Sequence, residues 1–295
     1  MGRTSAHSYE IGEKGAWVGI LSNIALFILK FLAGIFGRSQ AMIADAFHTA
    51  SDALTSIAVL IGLKIARKPA DLEHPYGHGR AESIAAKIVA LVLIFVGLKL
   101  VHDSARILIL KEMVKPHSIA LYVAIVSIVV KELTYRRVIL LSKKIRSTSL
   151  KADAYHHRSD VLSSVAALVG IAGARMGWTF LDPLAGILVA GFIIKVGTEV
   201  FHMAYDELMD AAPPKGLVRQ IEETVMAAGG VLEVKKVMVR KYGLDLFLEI
   251  TIGVDKNKTV QEGHSVTIEV EKCVCESIPN VEGVVVHVEP ARGNS

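Results

Sequence analysis

Two stretches of this 295-residue chain carry the same pattern of chemically capable residues. Ala44-Asp-Ala-Phe-His-Thr-Ala-Ser-Asp-Ala-Leu-Thr-Ser56 and Ala152-Asp-Ala-Tyr-His-His-Arg-Ser-Asp-Val-Leu-Ser-Ser164 are identical at eight of 13 positions. In each, a histidine precedes an aspartate by four: His48 with Asp52, and His156 with Asp160. On a helix that spacing puts both side chains on one face, a turn apart. Asp45 and Asp153 come three residues before their histidines and lie near the same face. Both stretches fall in the first half of a long apolar run. An ionisable group inside such a run costs about 2.5–3.5 kcal/mol on insertion scales, so it needs a partner or a task. Two such units facing one another supply two imidazoles and two carboxylates, a donor set suited to tetrahedral zinc with bonds near about 2.0–2.2 Å. The two carboxylates would also neutralise a divalent cation. The structural alternative is that the two helices satisfy each other's polar groups, which would not require the same unit twice.

The elements that must hold these residues follow from hydropathy. The chain is 52% apolar with a mean hydropathy of +0.45, too apolar for an ordinary soluble domain and incompatible with disorder as its main state. Six membrane spans are expected, at about Ala16–Phe36, Ala41–Ile65, Ile84–His102, Ile119–Leu140, Ala152–Ala174 and Leu181–Phe201. The first reads as a retained span, because it lacks a basic leader and a small-residue cleavage site. The fourth is the weakest: its run crosses the bilayer only if the helix continues through Lys131 and Glu132, and five spans is the fallback. With the N-terminus in the cytoplasm, residues 3–14, 64–80 and 136–151 place twelve lysines and arginines inside, against five outside. The inequality favours both ends inside.

From about Leu208 the composition becomes that of a soluble domain, after a linker at Ala211-Ala-Pro-Pro214. Gly216–Ala228 and Thr259–Ile278 have helical periodicity. Val231–Arg240, Leu244–Val254 and Val281–Val288 read as strands, with Tyr242-Gly243 as a turn. The fold class is thus an α-helical membrane domain of six transmembrane helices (1–208), followed by a small cytosolic α+β domain (209–295) of order αββαβ, ferredoxin-like or metallochaperone-like. Cys273 and Cys275 form no disulfide framework, and packing is the expected role for at least one of them. A net charge of +4 gives no basis for nucleic-acid binding. One geometric tension remains. In antiparallel spans His48 lies near the outer end of its helix and His156 near the inner end of its own, so the two meet only if the fifth helix starts in the cytoplasm or the helices tilt.

These residues resemble the cation diffusion facilitator family of divalent metal transporters, along nearly the whole chain. The resemblance is carried by the paired His48-x-x-x-Asp52 and His156-x-x-x-Asp160, the loop His74-Pro-Tyr-Gly-His78-Gly-Arg-Ala-Glu82, and the stretch Tyr155-His-His-Arg-Ser-Asp160. It implies a homodimer in a lipid bilayer that exports metal from the cytoplasm in exchange for protons, with His48, Asp52, His156 and Asp160 as the transport site. Histidine–aspartate pairs resemble the zinc members, and imidazole suits zinc where carboxylate suits manganese. Donor softness leaves Fe2+, Co2+, Ni2+ and Cd2+ open beside Zn2+ and Mn2+. The resemblance further implies a loop metal site of Asp71, His74 and His78, against the alternative of a solvated polar loop. It implies an ion pair between Arg80 and Asp210. It also implies a regulatory metal site between protomers, using Glu249, His264, His287 and Glu289. Lys235 and Thr251 stand where some members have histidines, so a reduced tail site is expected. The metal is substrate and regulatory ligand, no organic cofactor is implied, and a bacterial inner membrane is the expected location.

A membrane-embedded zinc metalloenzyme is the competing class. It would need three protein ligands, an open metal position and a general base. The sequence has no HExxH helix and no nucleophile elbow, so a transporter rather than an enzyme is expected.

Overall fold

A computed structural model describes residues 21–145, 148–243 and 245–291; for residues 59, 141–157 and 159 no side chain is described. Leu21–Gly37 forms α1, so residues 16–20 of the expected first span lie outside the described residues. Then follow α2 (Gln40–Ala66), α3 (Ala81–Ile109), α4 (Ser118–Ile145), α5 (Thr148–Arg175) and α6 (Leu181–Leu208). Among the described residues, α2, α3, residues Ser118–Leu140 of α4, and α6 are long and apolar enough to cross a membrane. By the same measure α5 is not, because its first half carries the second chemical unit. Large apolar side chains such as Phe36, Leu60, Phe95, Val129, Leu162 and Leu188 face outward, the surface expected of helices solvated by lipid.

Between the helices the packing uses small residues. Ala33, Ala41, Ala44, Ala120, Ala124, Ala167 and Ala190 are buried, and Gly170 lies so close to Ala185 that a Cβ there would clash. Close backbone approach of this kind drives helix association where lipid supplies no hydrophobic contrast. The start of α2 is held firmly. Ser39 Oγ accepts the Met42 N–H at 3.1 Å. Asp182 of α6 accepts the Ser39 hydroxyl at 2.5 Å and the Gln40 N–H at 2.7 Å. Two of the donors left unpaired at a helix N-terminus are thereby satisfied inside the membrane domain.

The tail follows the expected order: α7 (Lys215–Met226), β1 (Glu233–Tyr242), β2 (Asp245–Val254), α8 (Val260–Ser277) and β3 (Val281–Pro290). The sheet order is β1-β2-β3, with β1 and β2 antiparallel and β2 and β3 parallel. Strand alternation turns Leu248, Ile250, Ile252 and Val254 towards Ile221 and Val225 of α7 and Val266, Val270 and Val274 of α8. Thr259 and Glu262 form a capping box that starts α8. Gly243 takes a positive φ of 64° at the hairpin turn. Cys273 packs partly against this core, while Cys275 is exposed.

By packing, the chain divides into two compact units. One unit is residues up to Val59 with Ala86–Phe201; the other is Leu60–Ala85 with His202–Ser295. The loop between α2 and α3 therefore belongs with the tail. The cause is local. The Tyr242 hydroxyl donates to the Gly77 carbonyl at 2.7 Å, and Gly79 packs so tightly on the Tyr242 ring that no Cβ fits. The Arg80 guanidinium reaches both carboxylate oxygens of Asp210 at 2.9 and 3.1 Å.

Candidate metal sites

In the membrane unit α2 and α5 meet through their polar faces. His48 is 6% exposed and Asp160 5% exposed, and His48 Nε2 lies 3.9 Å from Asp160 Oδ1. Three residues before His48, Asp45 Oδ1 accepts the hydroxyls of Ser163 at 3.2 Å and Ser164 at 3.0 Å. As one helix is followed forward the other runs backward, so the register is antiparallel. Asp52, half-buried, lies one turn beyond His48, and position 156 lies one turn before Asp160. The fifth helix begins at Thr148, ahead of the second unit. The side chains of Asp153, His156 and His157 lie outside the described residues. His48 Nδ1 is buried and, among the described residues, makes no hydrogen bond. A buried imidazole beside a carboxylate but not hydrogen-bonded to it is chemically able to take a cation between them. Arg158 is exposed, its guanidinium 5.5 Å from the Tyr135 ring.

The structure also shows a group that sequence reasoning did not assign to any site. Lys30, the one charge of the first span, is fully buried with its ammonium 2.7 Å from Asp45 Oδ2. It donates further to Thr49 Oγ1 at 3.0 Å and to Ser164 Oγ at 3.1 Å. Asp45 therefore has its countercharge from α1. A lysine in an apolar run was the available signal, since such a residue requires a partner. Nothing in the spacing identified Asp45 as that partner.

In the loop, Asp71, His74 and His78 come together with their ligand atoms all within 4.8 Å of one another. His74 Nδ1 is 3.4 Å from Asp71 Oδ1, and His78 Nε2 is 3.6 Å from Asp71 Oδ2. Asp71 Oδ1 also accepts the backbone N–H of His74 at 2.7 Å and of Glu73 at 3.0 Å. The His74 N–H above all, with Glu73 behind it, holds the Asp71 carboxyl below the usual aspartate range. His78 is the least exposed of the three, and its Nδ1 is buried without a hydrogen-bond partner. Two imidazoles and a carboxylate leave room for a fourth ligand on a tetrahedral ion.

The four tail residues do not gather within one protomer. Alternation places Glu249 and His287 on the sheet face opposite α8, whereas His264 sits on α8 itself. His264 and Glu289 border one cleft of about 490 Å3. His287 Nε2 lies 3.6 Å from Glu289 Oε1. Glu289 is also bound by the Lys235 ammonium at 2.9 Å. Glu249 faces Arg240 at 3.4 Å.

The described residues thus form long apolar helices with a buried histidine–carboxylate contact, followed along the chain by a small αββαβ domain. Residues 16–209 match the family model of the cation efflux transmembrane domain, and residues 213–291 match that of the cation efflux protein cytoplasmic domain. The chain belongs to the cation diffusion facilitator family. It is 38% identical to an uncharacterized transporter of Methanocaldococcus jannaschii, over 94% of this chain and 98% of that one. It is 32% identical to the manganese efflux system protein MneP of Bacillus subtilis, over 95% and 97% of the two chains. It is 34% identical to the magnetosome protein MamM of Paramagnetospirillum magneticum, over 92% and 86%. This chain is accordingly a divalent metal cation efflux transporter of the membrane and not an enzyme.

Proposed function

We propose that the protein exports Zn2+ from the cytoplasm in exchange for protons, holding the ion between α2 and α5 with His48, Asp52, His156 and Asp160. The observation that carries this reading is the approach of His48 to Asp160 in a buried, antiparallel register, which brings the levels of the two repeated units together. Zinc takes neutral imidazole and ionised carboxylate, so loading expels whatever protons those groups hold, and protonation from an acidic exterior drives the ion off. Asp71, His74 and His78 form a second, cytosolic metal site. Residues 1–208 carry transport. Residues 209–295 form a homodimerising regulatory domain, where metal would be shared between protomers rather than held within one. Both termini face the cytoplasm of a bacterial inner membrane, following the distribution of basic residues.

Manganese is the second reading, favoured by 32% identity to a protein named for manganese efflux. The softness of two imidazoles supports zinc over it. Flux of each metal into proteoliposomes, with an internal pH indicator and an imposed pH gradient, tests these points together. Zinc flux should exceed manganese flux, rise with the gradient and be accompanied by opposite proton movement. In Asp160→Asn both should fall to background. A manganese preference overturns the metal assignment, flux without proton movement overturns exchange, and wild-type flux in Asp160→Asn overturns the site.

A further inference from the structure

Three helices meet in one closed set of bonds, a turn away from the contact between His48 and Asp160. The Lys30 ammonium of α1 reaches Asp45 of α2 at 2.7 Å and Ser164 of α5 at 3.1 Å. The Ser164 hydroxyl donates to Asp45 at 3.0 Å, so each of the three residues binds the other two. Thr49 joins from α2, accepting from Lys30 and donating to the Asp45 carbonyl, both at 3.0 Å. The Ser163 hydroxyl donates to Asp45 at 3.2 Å and shares its hydrogen with the Asp160 carbonyl at 2.8 Å. Lys30, Asp45, Thr49 and Ser164 are fully buried, and Ser163 is 2% exposed. A buried network whose members are all bonded rigidifies the elements that carry it. The neighbouring contact does not set its own width: His48 Nε2 and Asp160 Oδ1 stand 3.9 Å apart, beyond hydrogen-bond reach. Asp45 lies three residues back from His48, and Ser163 and Ser164 lie three and four on from Asp160 along the antiparallel α5. The register that brings His48 to Asp160 is therefore bonded at Asp45.

We propose that Ser163 and Ser164 are positioning residues for metal selection: by binding Asp45 across the α2–α5 seam they fix the gap between His48 and Asp160, and so decide which ion fits it. The inference rests on the reading of His48 and Asp160 as metal ligands. Donors bound to a tetrahedral zinc at about 2.0–2.2 Å stand about 3.3–3.6 Å from each other. The observed gap is a few tenths of an ångström wider, so a stiff frame needs only a small closure to meet such an ion. Discrimination among divalent metals comes from geometry and donor type rather than from raw affinity. A stiff frame offers one geometry and penalises ions that want another. A loose frame lets the same donors rearrange around each ion, and the distinction between metals fades. Neither serine touches the metal; both act through Asp45 on the spacing of the two helices.

The test is the ratio of zinc to manganese flux, measured in competition with full-length protein in proteoliposomes. Whichever metal the wild type prefers, Ser163→Ala/Ser164→Ala should bring the ratio towards one by about fivefold or more, within the range that supporting partners of metal ligands command. The single variants Ser163→Ala and Ser164→Ala each keep one bond to Asp45 and should each move it about twofold. They carry the test if the double variant does not assemble. Ser127→Ala removes a buried hydroxyl of α4 that donates to Ala124 of its own helix, and it should leave the ratio unchanged. Melting temperatures are recorded alongside, because a merely structural role would lower them without moving the ratio. An unchanged ratio in the serine variants, a wild-type ratio near one, or an equal shift in Ser127→Ala overturns the proposal. Wild-type flux in Asp160→Asn would instead mean that the ligand reading has failed, and the two failures are distinct.

Discussion

Lys30 and Asp45 show how a charge that resembles a ligand can be a structural partner. Asp45 repeats as Asp153 and lies near the face of His48, so by spacing alone it is as eligible for metal as Asp52. Its carboxylate is already engaged by Lys30, Ser163 and Ser164, on helices α1 and α5. Removing one member of a buried pair leaves the other charge uncompensated, at a cost of about 3–5 kcal/mol, whereas removing both is often nearly neutral. Lys30→Met should therefore lower the thermal stability of the detergent-solubilised protein sharply, and Lys30→Met/Asp45→Asn should recover most of it. A double variant as unstable as the single one would show that the pair has a role beyond charge compensation. The identity of the partner was not legible in the sequence, because it depends on which faces of α1 and α2 meet. What could be read was only that a lysine in a span requires one.

Among the elements, the tail was legible to within two residues at each end, with Tyr242 closing β1 rather than lying in the turn. Its strands alternate in a two-residue period and its helices in a longer one, and both periods are written in the chain. The fifth helix was legible as an apolar run that is polar in its first half, and an early start could be stated only as one of two ways for the units to meet. The docking of the 67–80 loop on the β1–β2 hairpin was not legible at all. It is made by a hydrogen bond between residues 165 positions apart, Tyr242 and Gly77, and by the absence of a side chain at Gly79. That docking positions the strand of chain carrying His78. Gly79→Ala should displace the Tyr242 ring and lower zinc affinity at the loop by about tenfold or more. Tyr242→Phe, losing one hydrogen bond worth about 0.5–1.5 kcal/mol, should have a smaller effect. Calorimetric titration in an Asp160→Asn/His264→Ala/His287→Ala background isolates the loop component. Equal, wild-type affinities in both variants would detach the loop's metal chemistry from the hairpin.

At the scale of the whole molecule, the membrane unit encloses some of its charges between helices and presents many large apolar side chains outward. Lys30, Asp45, Lys131 and Asp182 are all buried, and each has a hydrogen-bond or ion-pair partner on another helix. The pairing of Lys30 with Asp45 also constrains biogenesis. The two aspartates of α2 together cost about 5–7 kcal/mol to insert, against a gain of only about 0.3–0.6 kcal/mol for each large apolar residue. Released alone by the translocation machinery, α2 would be reluctant to leave water. The preceding helix, already in lipid, carries a lysine in need of an anion, and the two segments are separated by only Arg38 and Ser39. The second segment would then enter by partnering with the first, as a helical hairpin. Glycosylation mapping of nascent chains should show residues 40–66 failing to insert by themselves, inserting when residues 1–39 precede them, and failing again when those residues carry Lys30→Leu. Efficient insertion of the isolated segment would mean that its aspartates reach lipid without help from the lysine on α1.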